Sequence, residues 1–115
     1  AAQDFAQLIL LEPCLFGDLR SFEVSPEEAG LKQYELSEIL GGTPEDNAQA
    51  IRDLFDGKPG AYRDIVLLNA AAALIVADKV GNLRDGAQAA AGAIDGGDAK
   101  NTLARLVAAS NGRAQ

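Results

Sequence analysis

The chain has 115 residues, 48% of them hydrophobic, and 17 acidic against 10 basic residues give it a net charge of -7. This is the size of one domain or part of one, with enough apolar material for a core. Its basic residues are scattered singly from Arg20 to Arg113, so nucleic-acid binding is not expected. The absence of histidine removes His-based acid/base catalysis, Cys-His nucleophiles and the commonest zinc sites from this chain by itself.

Residues 1 to 15 are ambiguous at the level of pattern. Phe5, Leu8, Ile9 and Leu11 fit one helical face, which is the reading preferred here, while Leu8 to Leu11 fit a buried strand equally well. The lone Cys14 excludes an internal disulfide and is read as a free structural thiol in a reducing compartment. No basic leader precedes the short apolar run, so the segment does not read as a signal peptide and the expected location is the cytoplasm. From Leu19 to Val24, apolar and polar residues alternate as in a half-buried strand, which needs a partner for its backbone hydrogen bonds. The first 15 residues offer at most one such partner.

Ser25-Pro26-Glu27-Glu28 carries the signs of a helix start, with a cap serine, a proline in first position and a glutamate that can reach back, and Gly30 ends the turn. Leu36 to Leu40 is a second short helix before Gly41-Gly42. Thr43 and Pro44 then open an amphipathic helix with Ala48, Ile51, Leu54 and Phe55 on one face, ended by Gly57.

The next helix, from about Ala61 to Val80, is unusual. From Ile65 to Ala77 every residue except Asn69 is Ile, Val, Leu or Ala, so it has no polar face and is expected to be covered on all sides. The run is short of the roughly 20 residues needed to cross a bilayer, and Arg63, Asp64, Asp78 and Lys79 bracket it, so a core helix is the reading and a membrane span is not. Asn69 would then be a buried amide in need of a hydrogen-bond partner. Arg63 and Asp64 are expected to form a surface pair or cap, and Tyr62 to lie as a lid on the helix end. Two further amphipathic helices follow. One runs from Arg84 to Asp95 with Ala87, Ala90, Ala91 and Ile94 inward. The other runs from Asp98 to Ala109 with Ala99, Leu103, Leu106 and Val107 inward, before a frayed tail from Ser110 to Gln115.

None of the chemically suggestive groups demands a site. Gly96-Gly97-Asp98 lies between two helices and reads as a helix stop followed by a start. Gly41-Gly42-Thr43 leads into a helix N-terminus that could in principle hold an anion, but no lysine or arginine stands near it in sequence. The pairs Glu27-Glu28 and Glu45-Asp46 sit in first turns, where negative charge is favourable.

Three stretches, RSFEVSPEEAGL (Arg20 to Leu31), GGTPEDNAQAIRDLFDGKPGAYRDIVLLNAAAALIVADK (Gly41 to Lys79) and LRDGAQAAAGAIDGG (Leu83 to Gly97), resemble the C-terminal end of anthranilate phosphoribosyltransferases. The resemblance covers residues 16 to about 109 and leaves 1–15 unassigned, because the family has a strand where this chain has AAQDFAQLILLEPCL. It implies a parent α/β fold of which this chain is a mostly α-helical partial domain, about four helices with one or two short strands, spanning 16–115. The family transfers a phosphoribosyl group from phosphoribosyl pyrophosphate to the amine of anthranilate with the help of magnesium. Its glycine-rich diphosphate loop, its anthranilate-binding residues and its magnesium-binding Asp-Glu pair have no counterpart in the matched stretches. The resemblance therefore places no catalytic, cofactor-binding or metal residue on this chain, and implies a C-terminal segment inactive alone, whose partner is the missing N-terminal part of the enzyme. The alternative is a non-catalytic helical interaction module derived from that enzyme, acting through a partner or self-association.

Overall fold

The computed structural model describes residues 8–13 and 19–112, with side chains from residue 23 onward. Cys14 and the end of the C-terminal tail lie outside the described residues. Two strands, β1 (Leu8–Pro13) and β2 (Leu19–Val24), form an antiparallel pair in which Leu8 lies opposite Val24 and Pro13 opposite Leu19. The helical preference for the N-terminal segment is thus corrected over Leu8–Pro13. The strand at Leu19–Val24 cannot satisfy its backbone alone, and the nearest preceding apolar run supplies the ladder.

Short 3-10 turns at Pro26–Ala29 and Leu36–Ile39 lead into four helices, α1 (Pro44–Phe55), α2 (Ala61–Val76), α3 (Leu83–Asp95) and α4 (Asp98–Ser110). Their starts follow from capping chemistry. The Thr43 hydroxyl accepts from the Asp46 N–H while the Asp46 carboxylate accepts from the Thr43 N–H, a closed reciprocal box ahead of Pro44. The Asn82 side chain accepts from the Asp85 N–H and sets the start of α3 at Leu83.

The expected end of α2 at Val80 is corrected to Val76. Asp78 adopts a left-handed conformation at φ 57°, and the helix closes with bonds from Asp78 N–H to Ile75 O at 3.0 Å and from Lys79 N–H to Leu74 O at 2.9 Å. This double closure usually falls to glycine, and aspartate is among the few other residues that tolerate it. Apolar composition through Ala77 gave no sign of the stop.

The core lies between α2 and α3. Leu67, Leu68 and Ala71 of α2 pack with Leu83, Ala87, Ala90 and Ile94 of α3, and Leu54, Ala29 and Val24 close the ends of the cluster. The helices approach so closely that a β-carbon placed on Gly86 would lie 2.8 Å from both Cα and Cβ of Ala71. Small residues at 70–73 therefore serve close packing on one side, as their composition suggested.

The cover on the other side is missing among the described residues. Tyr62, Val66, Asn69, Ala73 and Val76 form an open stripe along α2, with Val66 39% and Val76 64% exposed. The expectation of a helix covered all round is corrected for this chain. Asn69, expected to be buried, is exposed, and its Nδ2 donates to Ile65 O one turn back at 2.9 Å. The inward face expected of α4 is only half realised, since Ala99 and Leu103 are partly buried while Leu106 and Val107 stand in solvent. On α1, Leu54 is buried but Ile51 is exposed. The Cα radius of gyration, 15.7 Å, exceeds the about 13 Å of a compact domain of this length, as expected for a partial domain.

Candidate functional site

The polar groups that the sequence brings to notice are used, one by one, to hold the helices. At Gly41-Gly42-Thr43 the Gly42 N–H donates to Asn47 Oδ1 at 2.9 Å and the Thr43 N–H donates to Asp46, so the exposed donors ahead of α1 are met by its own first turn. Glu28 performs the same task for Ser25, accepting from its N–H at 2.7 Å, and Glu38 does so for Glu35 at 2.8 Å. The paired carboxylates at 27–28 and 45–46 thus serve as first-turn caps, with one member of each pair bonded to backbone. Among the described residues no three of His, Cys, Asp or Glu come close enough together to hold a metal ion.

Gly96 and Gly97 sit at the α3–α4 junction as the sequence indicates. Gly97 takes φ 92° and accepts from the Asn101 N–H at 3.0 Å, so it closes one helix and opens the next.

Arg63 and Asp64 do not pair with each other, contrary to one expectation. Arg63 forms a two-pronged bridge to Asp95, Nη1 to Oδ1 at 2.9 Å and Nη2 to Oδ2 at 2.8 Å, tying the start of α2 to the end of α3. Asp64 accepts instead from the Tyr34 hydroxyl at 3.1 Å. Partial burial, followed by that bond and the nearby Asp64 and Glu38 charges, raises the Tyr34 pKa above the usual 10.0. Tyr62 does lie over the helix end, where its hydroxyl donates to Leu40 O. These long-range partners were not readable from spacing, because they join residues about 20 to 30 positions apart through the tertiary fold.

A concavity of about 210 Å³ lies at the corner between α1 and α2 and is lined by Leu54, Lys58, Pro59, Ala61, Tyr62 and Arg63 among others. Its cations are already engaged: Lys58 reaches Asp53 at 3.3 Å and Arg63 holds Asp95. Hydrogen bonding from Gln49, then from Lys58, holds the Asp53 carboxyl below its ordinary range. The corner is a braced joint between helices rather than an assembly of reactive groups.

Residues 4–100 match the family described as the glycosyl transferase family, a/b domain. The chain belongs to this family. The match opens at residue 4 and so takes in β1, within the segment that the sequence reading left unassigned. An anthranilate phosphoribosyltransferase of Parvibaculum lavamentivorans is 61% identical over 97 residues, which are 84% of this chain and 28% of that protein. Those of Methylocella silvestris and Maricaulis maris are 50% and 52% identical over 95 and 98 residues, or 27% and 29% of their lengths. The chain therefore spans under a third of the length of these relatives. No helix among its described residues is long and apolar enough to cross a membrane.

Proposed function

We propose that this chain is the C-terminal segment of an anthranilate phosphoribosyltransferase, and that it contributes scaffold rather than reacting groups to phosphoribosyl transfer from phosphoribosyl pyrophosphate to anthranilate. The observation that carries this reading is the 61% identity to an enzyme of that name over a continuous 97 residues, together with the 28% of its length that the match spans. Packing supports it: several of the polar side chains serve caps and helix bridges, and one face of the most apolar helix stands open. On this reading the diphosphate loop, the anthranilate site and the magnesium ligands belong to the preceding part of the enzyme, the whole works in the cytoplasm, and the chain alone is inactive.

The test is a chimera in which this chain replaces the matching segment of the Parvibaculum lavamentivorans enzyme, assayed for consumption of anthranilate with phosphoribosyl pyrophosphate and magnesium. Activity within about tenfold of the parent is expected, a loss of no more than about 1.4 kcal/mol in transition-state stabilisation. A soluble, folded chimera without activity would overturn the proposal. The second reading, a helical interaction module, draws on the same open face of α2. It predicts that the chain alone forms a defined assembly in sedimentation and that the chimera gains nothing from it.

A further inference from the structure

At the end of α4 the chain sets an asparagine before a glycine, Asn111-Gly112. A side-chain amide carbon lies one ring closure away from the next residue's backbone nitrogen, and glycine offers that nitrogen with no side chain in the way. Asp56-Gly57, Asp85-Gly86 and Asp95-Gly96 have the same spacing, but an ionised carboxylate is a poor target for a nucleophile. Each of the three is also engaged, Asp56 by Lys100, Asp85 by Asn82 and Asp95 by Arg63. The asparagines at 47, 69, 82 and 101 precede Ala48, Ala70, Leu83 and Thr102, and the first three hold side-chain hydrogen bonds as well.

Asn111 stands just past the last turn of α4 at φ -92° and ψ 11°; it is exposed, and its side chain makes no hydrogen bond among the described residues. Gly112 is exposed at φ 71°, and a β-carbon placed on it would meet nothing within 4 Å. Its N–H is held by Ala109 O at 3.1 Å, a bond of the kind that opens at almost no free-energy cost at a helix end.

We infer that Asn111 is a self-modification site, where the chain converts its own amide to aspartate and isoaspartate without an enzyme and so loosens the last turn of α4. The Gly112 nitrogen attacks Asn111 Cγ, a new N–Cγ bond forms as the Cγ–Nδ2 bond breaks, and ammonia leaves with the backbone proton. Water then opens the five-membered imide at either carbonyl, and no electron is transferred. Both products add a negative charge at the negative end of α4, where the helix dipole opposes it, and carry the chain one unit beyond its net charge of -7. Isoaspartate also inserts a methylene into the backbone beside the bond from Asn111 N–H to Val107 O.

The test incubates the 115-residue chain for days at mildly alkaline pH, beside the same chain unfolded in guanidinium, and follows the gain of about one dalton at each asparagine by peptide mass spectrometry. With helical circular dichroism retained, Asn111 is expected to convert faster than every other asparagine and within about tenfold of its rate in the unfolded chain. Labelling by an isoaspartate-specific carboxyl methyltransferase should rise in step, and Asn111→Gln, whose longer side chain cannot close the five-membered ring, should abolish both signals. Conversion of another asparagine equally fast, or protection of Asn111 by more than about tenfold in the folded chain, would overturn the inference. Asn111→Asp is expected to lower the thermal midpoint by about 1 to 5 °C relative to Asn111→Gln, and an unchanged or raised midpoint would overturn the stated effect on α4.

Discussion

Replacing Gly86 by alanine tests how closely α2 and α3 must approach. The added methyl group would sit 2.8 Å from Cα and Cβ of Ala71 and 3.1 Å from its carbonyl oxygen, and Ala71 is fully buried. Carbon atoms rest at about 3.5 to 4.0 Å, so the helices must part by most of an ångström along their principal contact. Overpacking of this kind costs about 1 to 3 kcal/mol, against which the better helix propensity of alanine returns about 1 kcal/mol. The net loss is about 0 to 2 kcal/mol, at its upper end a fall of several degrees in melting temperature for a chain of this size. Gly92 in the same helix provides the internal comparison. It is exposed with open space around its would-be β-carbon, so Gly92→Ala should gain about 0.5 to 1 kcal/mol. Urea denaturation followed by circular dichroism measures both. Adding Ala71→Gly to Gly86→Ala should recover part of the loss through a favourable coupling between the two sites. If Gly86→Ala stabilises the chain as much as Gly92→Ala, the close approach of the helices is wrong.

Arg63→Ala is expected to cost about 0.5 to 1.5 kcal/mol in the same assay, because the Arg63 side chain is only 14% exposed although that of Asp95 is 54% exposed. Arg63→Lys should recover less than half of that, since an ammonium cannot reproduce the two-pronged contact, and 1 M salt should narrow the differences. Tyr34→Phe should cost about 0.5 to 1 kcal/mol near neutral pH through loss of the bond to Asp64. Its pH dependence has a definite sign. The folded pKa lies above the unfolded value of 10.0, so the contribution is complete below that value and is lost as pH rises through the folded pKa. Stability measured from pH 8 upward should therefore fall more shallowly for Tyr34→Phe than for the unsubstituted chain, and parallel curves would refute the assignment.

Helix starts were legible because capping is local: Thr43, Pro44 and Asp46 lie within one turn of the bonds they make. The stop at Asp78 was not, because the apolar run continues through Ala77 and the closing bonds depend on one backbone dihedral. At β1 the pattern fitted helix and strand equally and the helical preference failed for a different reason: its alternation is weak, and its identity comes from Leu19–Val24 across the ladder. Amphipathic spacing on α4 showed which residues were apolar but not what stood opposite them, and Leu106 and Val107 remain exposed among the described residues. The same limit applies to Asn69, whose surroundings depend on which neighbours are present. Family membership was legible from the ordered stretches between Arg20 and Gly97 because these bear the caps, the close contacts and the helix bridge together.

The position of Tyr62 has a practical consequence. The chain has two tyrosines and no tryptophan, so its intrinsic ultraviolet emission is dominated by Tyr34 and Tyr62 over the weakly emitting phenylalanines. Tyr34 is already engaged with Asp64, whereas Tyr62 stands at the head of the open stripe on α2. The molecule thus carries its own optical gauge at the edge of that stripe, and arrival of a covering surface could be followed there without attaching a dye.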